Sequence, residues 1–287
     1  MSGIGVVGAR GRTPYLLVSL PAAFLLFFFV LPTLVLFSAS VLRADGLELT
    51  NELTSDNFSV LLSRKLVVDA IVRSFGIGLS VGVLVVVLAY PVAWVLVRTH
   101  SRWKSVLIAL ALAPLLASVI VRTYGWWVLF NREGAVNALL LGIGLVDQPL
   151  RMLPSTAVII VGLTHALLPY GVLTLMAALG GVNPNLEQAA MSLGSGRVRT
   201  FLEVTLPLTW PGIAGGFLLA FAVAISAYAT PAILGGPAQQ TMATLIYQFM
   251  TTLLDWASGS ALGVILLVSS LLLVGLTSLV QRRQPAA

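Results

Sequence analysis

The sequence contains no cysteine, only two lysines and two histidines, and few charges of any sign. Without cysteine there is no disulfide, no thiolate metal site and no cysteine nucleophile. His100 and His165 stand 65 residues apart, and neither has a carboxylate at a metal-ligand spacing, so the pattern offers no metal centre. Neither Lys65 nor Lys104 follows a glycine, which excludes the phosphate-cradling G-x-x-x-x-G-K-[ST] loop. Charged residues make up 9% of the chain, against roughly 25% in soluble domains, so a water-soluble fold is excluded. The formal charge of +6 does not point to nucleic acid, because the basic residues are scattered between apolar runs and form no stripe.

What is present is apolar length. Of 287 residues, 58% are hydrophobic, and the mean hydropathy is +1.01. Crossing the hydrocarbon core takes about 20 mostly apolar residues. Six stretches meet that length, at 15–42, 66–97, 105–130, 155–180, 212–234 and 258–280. Their apolar residues run continuously rather than alternating, which predicts helices and not barrel strands. The fold class is therefore all-α, a polytopic membrane protein with six transmembrane helices. Pro21, Pro32, Pro91, Pro114 and Pro169 fall inside these stretches and predict kinks whose freed backbone groups neighbouring helices satisfy. The first stretch is too long for the apolar region of a cleaved signal peptide.

Basic residues favour the cytoplasmic side. Placing both termini inside assigns Arg10, Arg12, Arg98, Arg102, Lys104, Arg197, Arg199, Arg282 and Arg283 to the cytoplasm, against seven basic residues outside. All six tryptophans lie near stretch ends, as an interfacial belt requires. The chain divides into a cytoplasmic tail (1–14), two spans with an outer loop (15–97), and a core of four spans (98–287) that contains a cytoplasmic loop at 181–211.

That loop is organised. Asn183 is a capping residue, Pro184 suits the first helical position and Gly194 suits a left-handed helix end. On the short helix between them Leu186, Ala189, Ala190 and Leu193 repeat at i, i+3, i+4 and i+7. This is one apolar stripe on a helix too short to bury it against its own chain, so a partner is expected to cover it. A second helical piece follows Ser195, and Pro207 and Pro211 are expected to stop it before the fifth span.

The same residues resemble the signature of the permeases of binding-protein-dependent ABC importers: E-A-A, three residues, Gly, nine residues, Ile, any residue, Leu-Pro. Ala189 and Ala190 match the alanine pair, Gly194 the glycine, Val204 the isoleucine, and Leu206-Pro207 the ending, with both intervals intact. Gln188 stands where Glu is usual, and Glu187 fills the acidic place one residue earlier. Val121-Arg-Thr-Tyr-Gly-Trp126, Leu168-Pro-Tyr170 and Tyr228-Ala-Thr-Pro-Ala-Ile-Leu-Gly-Gly236 resemble the spermidine/putrescine branch.

The resemblance implies the type I importer permease fold in a bacterial inner membrane. It implies a translocation subunit with no catalytic site and no cofactor of its own, the ATP being bound by a partner. Leu186, Glu187, Ala189, Ala190, Leu193, Gly194, Leu206 and Pro207 would couple to a dimer of ATP-binding subunits. A second permease subunit, identical or different, and an extracytoplasmic solute-binding protein complete the partners, with membrane lipid around them and no nucleic acid.

The solute is less defined. Arg122, Tyr124, Trp126, Tyr170 and Tyr228 are the candidate path residues, and the resemblance implies a polyamine-like solute. Ala227, however, stands where that branch often carries an acid. Arg73 and Arg122 are the charges within the spans. Counted along an unbroken helix from Lys104, Arg122 falls near the outer boundary, where it either snorkels or faces a zwitterionic or anionic solute. A secondary transporter is the rival class, but no carboxylate lies deep in any stretch to carry a coupling ion. An intramembrane enzyme would rest on His165 alone, with no nucleophile motif beside it.

Overall fold

The computed structural model describes residues 13–45, 48–99 and 101–282. Arg10, Arg12, His100 and Arg283 lie outside the described residues. Long helices dominate because long apolar segments leave their backbone groups no partner in a bilayer except one another. In chain order they are α1 (Thr13–Val41), a β-hairpin of β1 (Leu42–Asp45) and β2 (Glu48–Leu53), α2 (Asp56–Ser63), α3 (Lys65–Arg98), α4 (Lys104–Leu112), α5 (Val119–Phe130) and α6 (Ala135–Gly142). Next come α7 (Thr156–Gly180), α8 (Pro184–Ser192), α9 (Arg197–Thr200), α10 (Leu206–Ser226), α11 (Ala229–Leu234), α12 (Met242–Tyr247) and α13 (Trp256–Arg282).

Five helical segments among the described residues are long and apolar enough to cross a membrane, and a bent pair makes a sixth. That pair, Lys104–Leu116 with Val119–Gly142, is the expected third span, and it turns by 93°. The stretch 105–130 is thus not one helix. Pro114 initiates a 3₁₀ turn over Ala113–Leu116, and Ala117 and Ser118 leave helical geometry. The fifth stretch, 212–234, is also interrupted, since α10 ends at Ser226 and α11 begins at Ala229. The hairpin was not expected. It pairs antiparallel with Leu42 opposite Leu53, and the Asn57 side chain holds α2 beneath it by donating to the carbonyls of Ser40 and Leu42 at 2.9 Å each.

The centre of the bundle is α3, α7 and α10. Buried residues recur at near four-residue intervals on α3 (Ile77, Val81, Val85, Ala89, Ala93, Leu96) and on α7 (Ile159, Leu163, Leu167, Leu175, Leu179), so i±4 ridges meet across the interface. Membrane helices gain little from burial against one another, since lipid is equally apolar, and close packing carries the association. Gly171 shows how close it is: a Cβ there would lie 2.5 Å from Val85 Cγ1 and 3.1 Å from Ala89 Cβ. Gly212 likewise faces Ala178 on α7, where an added Cβ would clash with the alanine methyl. Helix α1 lies outside this core against α13, and its Phe24, Phe27, Phe28 and Phe29 are exposed.

The second loop piece does not stop at its prolines. α9 passes through a π-type turn at Phe201–Thr205 directly into α10, giving one apolar segment from Arg197 to Ser226. Pro207 follows directly on the π-type turn, whose widened ladder relieves the clash of the proline ring with a preceding carbonyl. The loop therefore ends near residue 197, and a rigid helix carries its far end into the bundle.

Candidate functional site

Two features stand out, the short helix α8 at one end of the bundle and a cavity at its middle. α8 forms as its residues dictate. The Asn183 side chain accepts the N–H of Asn185 at 3.0 Å, and Pro184 occupies the first position. At the other end the N–H groups of Gly194 and Ser195 close onto the carbonyls of Met191 and Ala190, at 3.0 and 3.1 Å. Gly194 adopts φ +90°, the left-handed turn that favours glycine.

The apolar stripe is open. Leu193 is 90% exposed and Leu186 47%, Ala189 is exposed and Ala190 half-buried. Among the predicted coupling residues Leu206 and Pro207 stand apart, at the start of α10, half-buried and exposed respectively. Glu187 turns the other way. Its side chain is 16% exposed and pairs with Arg98 Nη2 at the end of α3, while Thr205 Oγ1 donates to the same Oε1 at 2.8 Å. Sequence reasoning took Glu187 as part of the outward motif and Arg98 only as an orientation signal. The two lie 89 residues apart, and no local pattern connects them.

The central cavity, about 520 Å³ in volume, opens where both broken spans meet α7. Leu115, Ala117, Val119 and Arg122 border it from the break in the third span, Leu163 to Tyr170 from the middle of α7, and Val223 to Thr230 from the break after α10. Interrupted helices at such a level expose backbone carbonyls and N–H groups that continuous helices bury. Arg122 Nη1 donates to the carbonyl of Pro114 at the bend, which also accepts the N–H of Ala117 at 3.4 Å. The helical count that put Arg122 near a membrane boundary fails because the helix turns sharply before reaching it. Arg73, for its part, donates to the carbonyl of Gln240 at 2.7 Å.

Of the five candidate path residues, Arg122, Tyr170 and Tyr228 come together in this cavity. Tyr228 packs against Tyr247 with the rings tilted by 34°, centroids 4.5 Å apart. Tyr124 and Trp126 are elsewhere. Tyr124 is 53% exposed, and Trp126 packs on Phe130 and donates from Nε1 to His165 Nδ1 at 3.3 Å, which makes both Trp126 and His165 packing residues. Ser226 and Thr230 also border the cavity. A periodic reading of a continuous span gave no reason to select them. None of the fourteen lining residues is acidic.

No protein-family model matches the chain. It is 29% identical over 245 residues, covering 85% of the chain and 89% of the relative, to the spermidine/putrescine transport system permease protein PotB of Escherichia coli (strain K12). Among solved structures, a bacterial ABC transporter involved in the import of the acidic polysaccharide alginate matches with a TM-score of 0.78 at 18% identity, over 96% of this chain and 97% of that one. A bacterial alginate ABC transporter in complex with an alginate pentasaccharide-bound periplasmic protein matches with the same TM-score at 20% identity, over 96% and 95%. At these identities the structural likeness fixes the fold.

Proposed function

We infer that this chain is the membrane-spanning permease subunit of an ABC importer, with α8 as the element through which an ATP-binding partner drives it. The observation that carries the reading is the exposed Leu186–Leu193 stripe, capped at both ends and closed by Gly194 in a left-handed turn, within a fold shared over 96% of the chain with an importer's membrane subunit. An apolar stripe on a nine-residue helix outside the bundle needs a groove to receive it. With no phosphate-binding loop in its own sequence, the chain takes its motor from another subunit, a dimer of ATP-binding subunits, and no cofactor resides in the permease. A second permease and an extracytoplasmic solute-binding protein complete the assembly. Both termini face the cytoplasm, on the side of α8.

In this reading the central cavity is part of the solute path. Names of relatives such as PotB favour a polyamine-like solute, and Tyr170 and Tyr228 offer faces that attract cations. One observation favours a second solute class, anionic or zwitterionic: the cavity holds the Arg122 guanidinium and no acid among its lining residues. A partner permease carrying the acid reconciles the cavity with a polyamine.

The native chain lacks cysteine, so a Leu193→Cys variant carries a single thiol at the centre of the proposed contact. In the assembled complex a short bifunctional reagent is expected to link that thiol to the ATP-binding subunit. Linkage from a thiol at Leu53, in the β-hairpin, but not from Leu193 overturns the docking assignment.

A further inference from the structure

Beneath the exposed stripe, two rows of side chains at four-residue spacing face each other. Tyr90, Trp94 and Arg98 run along the last turns of α3, and Phe201, Thr205 and Thr209 along the π-type turn and the start of α10. Tyr90 Oη and Thr209 Oγ1 are 3.0 Å apart. The Phe201 ring meets Tyr90 and Trp94 edge-on, with centroids 5.6 and 5.5 Å apart. Arg98 lies over the Trp94 ring at 5.3 Å. Glu187 enters this ladder from α8, its Oε1 accepting from Arg98 and from Thr205 together. No residue of α8 is fully buried, so packing alone holds the helix weakly and Glu187 is its main polar tie to the spans.

We propose that the Glu187–Arg98–Thr205 contact is a latch that makes α8 move as one body with α3 and α10, so that Glu187 and Arg98 are positioning residues that transmit the stroke rather than residues that bind the ATP-binding subunit. This inference rests on the reading of α8 as the coupling element. The physical reason is where a force on α8 would go. Applied to the Leu186 and Leu193 side, it tilts the short helix, and the Gly194 turn absorbs the motion unless another point is fixed. The three-way contact supplies that point. It meets α3 at its final residue and α10 through the turn that begins it, two of the three central helices, and α10 borders the cavity at its other end through Val223 and Ser226. A charge pair with 25% and 16% side-chain exposure is screened less by solvent than a surface pair, and an arginine held by both an ion pair and an aromatic face has a defined geometry. The exposed pair Arg199–Glu203, at 71% and 58% side-chain exposure, lacks both properties.

The test uses the complete complex with its ATP-binding subunit and a single reporter thiol, Ser226→Cys, at the cavity. Modification by a membrane-impermeant thiol reagent is followed with and without ATP and vanadate. In the otherwise native background the trapped state is expected to change the rate at this thiol at least about fivefold, the low end of coupling between distant sites. Adding Glu187→Gln or Arg98→Gln should abolish that change while the ATP-binding subunit still co-purifies and hydrolyses ATP. Arg98→Lys, which keeps the charge, should restore most of it, and Thr205→Val should reduce it. If Arg98→Gln does not insert, Glu187→Gln alone decides the matter, since that residue lies on α8. A full rate change in Glu187→Gln overturns the latch, as does loss of the ATP-binding subunit from that variant, which would make Glu187 a docking residue. Failure of the reporter protein itself to retain an ATP-binding subunit overturns the importer reading, and the latch with it.

Discussion

Arg122 donates to the carbonyl of Pro114 across the 93° bend in the third span. The same carbonyl accepts the Ala117 N–H at 3.4 Å, so the guanidinium adds a charge-assisted bond to a weakly held backbone group at the bend, and Arg122 borders the cavity. A hydrogen bond from a charged group contributes about 1.5–3 kcal/mol. Arg122→Gln is therefore expected to lower the unfolding midpoint of the detergent-solubilised protein and to reduce uptake. Arg122→Lys, able to donate once, should keep most of the stability. Equal unfolding midpoints for the native and Gln proteins would contradict this role.

The turn at Gly194 gives a second prediction. An L-residue in the left-handed region costs roughly 1–2 kcal/mol, and a β-branched one fits worst. Space is not the obstacle, since nothing lies within 4 Å of a Cβ built there. Gly194→Val should thus leave insertion intact and abolish transport by misdirecting the end of α8. Ala189→Asp, which puts a charge on the exposed stripe, should reduce co-purification of the ATP-binding subunit. Transport at native rates by both variants, with that subunit bound, would contradict the docking surface.

The aromatic residues separate into two groups. Tyr170 and Tyr228 border the cavity, whereas Trp126 is turned to His165 and Phe130. Tyr228→Ala and Tyr170→Ala should raise the KM for solute, and Trp126→Phe should lower stability by about 1 kcal/mol through its lost hydrogen bond while leaving KM unchanged. The check is uptake at varied solute concentration. A raised KM in Trp126→Phe with native values in both tyrosine variants would place the path elsewhere.

Orientation is tested by fusing a reporter that is active only outside the cytoplasm. Fusion at Glu48, in β2, should give activity, and fusion at Arg197, in α9, should give none. The opposite pattern would put α8 beyond reach of any cytoplasmic ATP-binding subunit.

Much of this architecture was legible in the sequence because hydrophobic length and helix-end chemistry act locally. The Asn183 cap, Pro184 at the first turn and Gly194 in its left-handed turn are properties of a few adjacent residues. The breaks at Ala117–Ser118 and Ala227–Tyr228 were not legible. Pro114 is compatible with a mild kink or with a full stop, and only the packing of α4 against α3 and of α5 against α7 and α11 decides between them. The same applies to the π-type turn before Pro207, which let a helix continue where prolines suggested an end. Glu187 shows the limit best. Its spacing fits the motif whichever way the carboxylate points, and its partner is at the end of a helix 89 residues away.

The most direct measurement of the central claim is solute uptake into proteoliposomes containing the complete complex, with the solute-binding protein outside and ATP inside. Labelled spermidine, putrescine and a small organic anion serve as solutes. Accumulation is expected only when ATP and the ATP-binding subunit are both present, with polyamine taken up in preference to the anion and with uptake lost in Gly194→Val. Anion uptake in place of polyamine would change the solute class alone. Accumulation by the purified chain without an ATP-binding subunit would contradict the account.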